Sequence, residues 1–133
     1  MIDSIAAYFD SLERVILQSD AIPGYVVLHR EITSIDGKFR VRAQVKDGGL
    51  LELFEYVTLG MGRQISRLKY SYHWQNAAGA LIKRWDNVNH HLHLPNAPHH
   101  VHLPDGSVVG IAGLLDVARV LAEIETHHEG GLP

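Results

Sequence analysis

From Ser4 to Gln18 the apolar residues Ile5, Phe9, Leu12, Val15 and Ile16 recur every third or fourth position. That period predicts an amphipathic helix, capped by Asp3 or Ser4 and ended by Asp20 and the Ile22-Pro23-Gly24 stretch. The period then falls to two. Tyr25 to Thr33 is rich in β-branched and aromatic residues, and Asp36-Gly37 is a tight-hairpin dipeptide. Phe39, Val41, Ala43 and Val45 alternate with Lys38, Arg40, Arg42, Gln44 and Lys46, which predicts a strand with one apolar and one basic face. After Asp47-Gly48-Gly49 comes a third strand, Leu50 to Leu59, and Gly60-Met61-Gly62 turns the chain again. In the fourth strand Leu68, Tyr70, Tyr72 and Trp74 share one face, with Arg67, Lys69, Ser71 and His73 on the other. The turn Asn76 to Gly79 leads into a fifth strand, Ala80 to Asp86.

Strands joined by turns this short form an antiparallel meander. From Asn87 to Pro104 neither period holds, and the stretch carries three prolines and six histidines, so it reads as an ordered loop with room for a short extended piece. Asp105-Gly106 is a turn, and Ser107 to Val109 is a candidate sixth strand. A final helix is expected from about Ile111 to His128, with Ile111, Leu114, Leu115, Ala118, Leu121, Ala122 and Ile124 inward and Gly130-Gly131 as its stop. The expected fold class is therefore α+β: a five-stranded antiparallel meander, six-stranded if Ser107 to Val109 joins, with N- and C-terminal helices on one face. All of 1–133 reads as a single domain, divided into a helix (1–19), a sheet (25–86), a histidine-rich loop (87–104) and a helix (111–128).

Composition narrows the function. The 133 residues are 46% hydrophobic and 20% charged, which is globular. No apolar run reaches the roughly 18 to 20 residues needed to cross a bilayer, and the start lacks the pattern of a signal peptide. A cytoplasmic protein is the expectation. With no cysteine, thiol catalysis and thiolate metal sites are excluded. Gly-rich phosphate loops, dinucleotide fingerprints and Gly-x-Ser-x-Gly elbows are absent, which argues against P-loop hydrolysis, dinucleotide redox chemistry and α/β-hydrolase chemistry. A net charge of −3 leaves room only for a local basic face.

Two features could carry chemistry. Alternation places Arg40 and Arg42 beside Arg67, Lys69 and His73, and Arg84 can extend the row. Such a row suits a phosphodiester backbone, although an ordinary solvated sheet face is the simpler account of it. Ten residues are histidine, and six of them lie between His90 and His102: His90, His91, His93, His99, His100 and His102. Two converging imidazoles can act as general base and acid, and RNA cleavage needs that pair together with a cation at the phosphate. His-x-His spacing also suits zinc, nickel or copper, with Asp86 and Asp105 flanking the run; no standard zinc signature is present. Arg84 and Asp86, two apart on one strand, share a face and can orient a histidine. Tyr70, Tyr72, Trp74 and Trp85 read as core rather than as a base-stacking platform. His127 and His128 favour the dipole of a helix end.

Tyr70-Ser71-Tyr72-His73-Trp74-Gln75, Arg84-Trp85-Asp86-Asn87, His90-His91, Pro98-His99-His100-x-His102-Leu103 and Asp105-Gly106 together resemble the TumE-type toxin family, over roughly residues 20 to 125. The resemblance implies a toxin of a type II toxin–antitoxin system, a helix-turn-helix antitoxin as partner, and an activity against RNA or translation. Carried over by position, its polar residues are Tyr72, His73, Arg84, Asp86, His91, His99, His100 and His102; His93 departs from the pattern. The leading expectation is a metal-independent endoribonuclease with no cofactor. His99 and His100, or His91 with one of them, serve as acid and base, with His102, Arg84 and Asp86 in the same catalytic set. His73, Tyr72, Arg40, Arg42, Arg67 and Lys69 then bind RNA. Partners to expect are RNA, the antitoxin and a second copy of the chain, with no membrane. The alternatives are a non-enzymatic partner-binding module and a histidine-ligated metal enzyme.

Overall fold

The computed structural model describes residues 4–88, 93–94 and 97–130. Along the chain run helix α1 (Ile5–Leu17), strands β1 (Gly24–Ile32), β2 (Asp36–Gln44), β3 (Leu50–Leu59), β4 (Ile65–Gln75), β5 (Leu81–Asp86), β6 (His100–His102) and β7 (Val108–Gly110), and helix α2 (Val117–Gly130). Among the described residues the strands form one sheet in the order β1 to β7, every neighbouring pair antiparallel. The α+β class agrees with the expectation; the strand count does not, since there are seven strands rather than five or six. Beyond the five lies a hairpin of two three-residue strands: β7 overlaps the candidate at Ser107 to Val109, and β6 is a short extended piece inside the stretch read as loop, too short for a period of two to register. No helix among the described residues is long and apolar enough to cross a membrane.

Both helices pack on one face. Ser4 caps α1 by accepting from the Ala7 amide at 3.1 Å, and Ile5, Phe9, Leu12 and Ile16 are buried. They meet Phe39, Val41, Leu53 and Val57 from the sheet, with Phe9 and Phe39 stacked at 4.8 Å. Asp36-Gly37 is not the hairpin turn. The turn is Thr33 to Ile35, where the Thr33 hydroxyl accepts from the amides of Ile35 and Asp36 at 3.2 and 3.0 Å, and both Asp36 and Gly37 belong to β2. What Gly37 provides is closeness: a Cβ there would lie 2.6 Å from Ile5 Cγ2 and 2.9 Å from Phe9 Cε2. Gly37→Ala should therefore overpack the α1–β2 contact and cost about 1–3 kcal/mol. Urea denaturation reads the loss; an unchanged midpoint would mean that α1 shifts freely.

Two further expectations need correcting. The final helix starts at Val117, not Ile111. Asp116 caps it, accepting from the Arg119 amide at 2.9 Å, and Gly113 upstream has φ of 76°. Val117, Val120, Leu121 and Ile124 form the inward stripe, while Leu114, Ala118 and Ala122 face solvent. The second correction concerns β4. Tyr56 pairs with Lys69 and Val57 with Arg67, so a bulge skips Leu68. The extra residue inverts the alternation, leaving Leu68 half exposed and turning Arg67 toward the helices.

Candidate functional site on the open face of the sheet

Alternation along each strand fixes which side chains face away from the helices. Lys38, Arg40 and Arg42 come from β2, Glu52, Phe54 and Tyr56 from β3, Lys69, Ser71 and His73 from β4. The register aligns them into rows. One row runs Arg42, Glu52, His73, Arg84, His102; the next runs Arg40, Phe54, Ser71, Asp86, His100. Glu52 offsets part of the charge, lying 2.9 Å from Arg40 and 3.1 Å from Arg42. A groove of about 470 Å³ runs over Arg40, Arg42, Glu52, Ser71, His73 and Arg84. A second, of about 740 Å³, continues over Lys38, Tyr56 and Lys69. Phe54 and Tyr56 put aromatic rings on this face, and the Arg40 guanidinium sits 4.5 Å from the Phe54 ring. Their positions were readable from the alternation of β3 against Leu53 and Val57.

At the β5–β6 end this face carries a compact cluster. Trp85 and Val101 point to the core, which forces Arg84 and Asp86 on β5, and His100 and His102 on β6, to the other side. Asp86 is the hub. Its Oδ1 lies 2.8 Å from His100 Nε2 and accepts from the Val88 amide at 3.1 Å. Its Oδ2 lies 3.3 Å from His102 Nε2 and 3.4 Å from Arg84 Nε. Asp86 and His100 are buried, while His102 and Arg84 reach solvent. His100 Nδ1 lies 2.7 Å from the Pro98 carbonyl, which can only accept, so Nδ1 carries a proton. Burial pushes His102 below the ordinary histidine value; Asp86 opposes this, and the charges of His100 and Arg84 add to it. With Nε2–H directed at Asp86, Nδ1 of neutral His102 becomes its accepting nitrogen. The donor atoms of Asp86, His100 and His102 all lie within 4.8 Å of one another, close enough to hold a metal ion.

Other expected site residues lie elsewhere. His99 and His100, adjacent in sequence, do not converge. His99 is on the helix side, its Nδ1 2.9 Å from the Tyr70 hydroxyl and its ring stacked on Tyr70. There it lines a cleft of about 320 Å³ with Arg67, Tyr70, Ile111 and Leu115. Arg67 and Tyr72 are not on the basic face either: Arg67 Nη1 donates to the Tyr72 hydroxyl at 2.7 Å, and Nη2 to the Leu115 carbonyl at 2.5 Å. Both belong to a buried network centred on Glu55, which accepts from the Tyr8 and Tyr72 hydroxyls at 2.5 and 2.6 Å. Burial raises Glu55 above the usual carboxylate range; the two tyrosine hydrogen bonds and Arg67 oppose the rise. Burial also lifts Tyr70 to about 12. Sequence reasoning passed over Glu55, although an acid at an apolar position of β3 was a signal. His73 lies 3.0 Å from Gln75 Oε1 on the open face. Asp105 stays in the β6–β7 turn, accepting from the Ser107 amide and hydroxyl. His90 and His91 lie outside the described residues, and His93 is exposed.

No curated protein and no solved structure matches the chain. A protein-family comparison does match: the family described as Toxin TumE covers residues 12–129, a span that includes every strand and the whole Asp86 cluster. The chain belongs to the TumE toxin family.

Proposed function

We propose that this toxin cleaves RNA on the open face of the sheet by histidine acid–base catalysis, without a metal ion. A toxin family implies a cognate antitoxin, and in this reading RNA is the target the antitoxin protects. The supporting observation is that Asp86 gathers His100 from its own row with Arg84 and His102, which end the cross-strand row that carries His73 and Arg42. Arg40, Arg42 and Lys69 steer the phosphodiester backbone, and Arg84 with His73 offsets charge on the scissile phosphate. His102 Nδ1 takes the proton of the 2′-hydroxyl, whose oxygen then bonds to phosphorus. The bond from phosphorus to the 5′-oxygen breaks, and His91 protonates that oxygen, leaving a 2′,3′-cyclic phosphate and a 5′-hydroxyl. His100 is buried and acts through Asp86 as a positioning residue.

The test is cleavage of a mixed RNA pool by the purified protein with and without EDTA. Cleavage should survive EDTA, fall by about 10²- to 10⁴-fold in His102→Ala, and persist in His99→Ala. A wild type that cleaves nothing overturns the proposal. The second reading, a partner-binding module, is favoured by one observation: edge strand β1 and its turn expose Val26, Leu28, Ile32 and Ile35.

A further inference from the structure

We propose that Asp86, His100 and His102 form a site for a divalent ion of the zinc class, and that the ion, once bound, blocks catalysis. The inhibitory half rests on the ribonuclease reading; the binding half does not.

His100 anchors the site. Its Nδ1 proton goes to the Pro98 carbonyl at 2.7 Å, and its Nε2 then faces Asp86 Oδ1 at 2.8 Å. Two electron-pair donors at that separation attract only with a positive species between them. A proton satisfies this, and so does a metal. His102 Nε2 stands 3.3 Å from the other carboxylate oxygen. Around an ion with bonds of about 2.0–2.1 Å, tetrahedral donors lie roughly 3.3 Å apart, so small side-chain adjustments complete the geometry. The surroundings suit ligation too. A metal-bound imidazole commonly donates its other N–H to a backbone carbonyl, and the Val88 amide fixes the carboxylate in the same way. All three donors stand on or beside paired strands, and the partly exposed His102 leaves a way in from solvent. Two imidazoles and one carboxylate favour zinc, nickel or copper over magnesium or calcium, which prefer all-oxygen sites.

The ion and the acid–base step exclude each other. In neutral His102 the single ring proton sits on Nε2, toward Asp86, and Nδ1 accepts. An ion on Nε2 moves that proton to Nδ1, and the accepting nitrogen becomes a donor. Arg84, 3.4 Å from Asp86 Oδ2, also gives up its carboxylate contact to the ion, and with it the position from which it holds phosphate.

Calorimetric titration of metal-stripped protein with zinc chloride tests the site, paired with melting curves. One ion per chain should bind, with Tm rising as free zinc rises. His102→Ala and His102→Gln should each weaken binding by at least tenfold, with circular dichroism confirming that one or both stay folded, and magnesium should produce no shift. Absence of heat and of a Tm shift in the wild type overturns the site, as does zinc binding undiminished in both folded variants. Zinc should inhibit RNA cleavage over the range in which it binds; stimulation overturns the inhibitory half. If the metal-stripped protein cleaves no RNA, the ribonuclease reading falls and inhibition falls with it, while the titration still decides the site.

Discussion

Asp86→Asn leaves a folded protein whose RNA cleavage falls by about 10²- to 10⁴-fold in kcat, with KM little changed. The substitution keeps size and shape, and Oδ1 still accepts from the Val88 amide. The new Nδ2 donates where Oδ2 accepted. His102 Nε2 must then accept, its ring proton moves to Nδ1, and the nitrogen needed as base is lost. Arg84 loses its anionic partner at the same atom. Arg40, Arg42 and Lys69 are untouched, so RNA binding persists. This split between kcat and KM separates a positioning role from a structural one, because a loosened fold would lower both affinity and Tm. Single-turnover cleavage and a binding isotherm on the same variant make the measurement; unchanged cleavage would remove Asp86 from the mechanism.

Glu55→Leu should destabilise the fold by about 3–5 kcal/mol, the cost of breaking a buried ionic network at one partner. Glu55 is buried beneath α1 and ties three side chains from two elements: Tyr8 on α1, and Tyr72 and Arg67 on β4. Leucine fills the volume but leaves the Tyr8 and Tyr72 hydroxyls without their acceptor and the Arg67 guanidinium without the carboxylate 3.8 Å away. Glu55→Gln, which retains one acceptor oxygen, should lose less. The pH dependence adds a second readout. Because burial raises this carboxyl in the folded state, the folded protein holds the proton more tightly than the unfolded chain does. Its contribution to stability is therefore fully present below the ordinary carboxylate range and declines as pH rises through the raised folded value. Glu55→Gln lacks that slope, and urea midpoints across acidic to neutral pH would show the two curves diverging.

Long alternations were legible. The bounds of β3, Leu50–Leu59, follow from its sequence pattern, and the basic face of β2 is where alternation puts it. Parity failed at Leu68, because one bulged residue turns every position before it to the opposite face and nothing in local composition marks the event. Arg67 was misplaced for that reason. The stretch from Ile111 to Leu115 mimics a helix, since Ile111, Leu114 and Leu115 have its spacing; the cap at Asp116 and the left-handed Gly113 are what end the resemblance. At the site, the shared face of Arg84 and Asp86 was readable from their spacing, while the separation of His99 from His100 was not. It required knowing that a strand begins at His100, and three residues are too few to announce one.

Strand order in this sheet equals chain order, which has a consequence for synthesis. Each strand can pair with its predecessor as it leaves the ribosome, so β1 to β4 and their cationic surface can be in place before β6 has left the exit tunnel. The histidines that complete the Asp86 cluster are added by one of the last strands. On the ribonuclease reading, a nascent chain of this toxin would hold RNA before it could cleave it, which gives an antitoxin made alongside it time to dock before the chemistry is assembled.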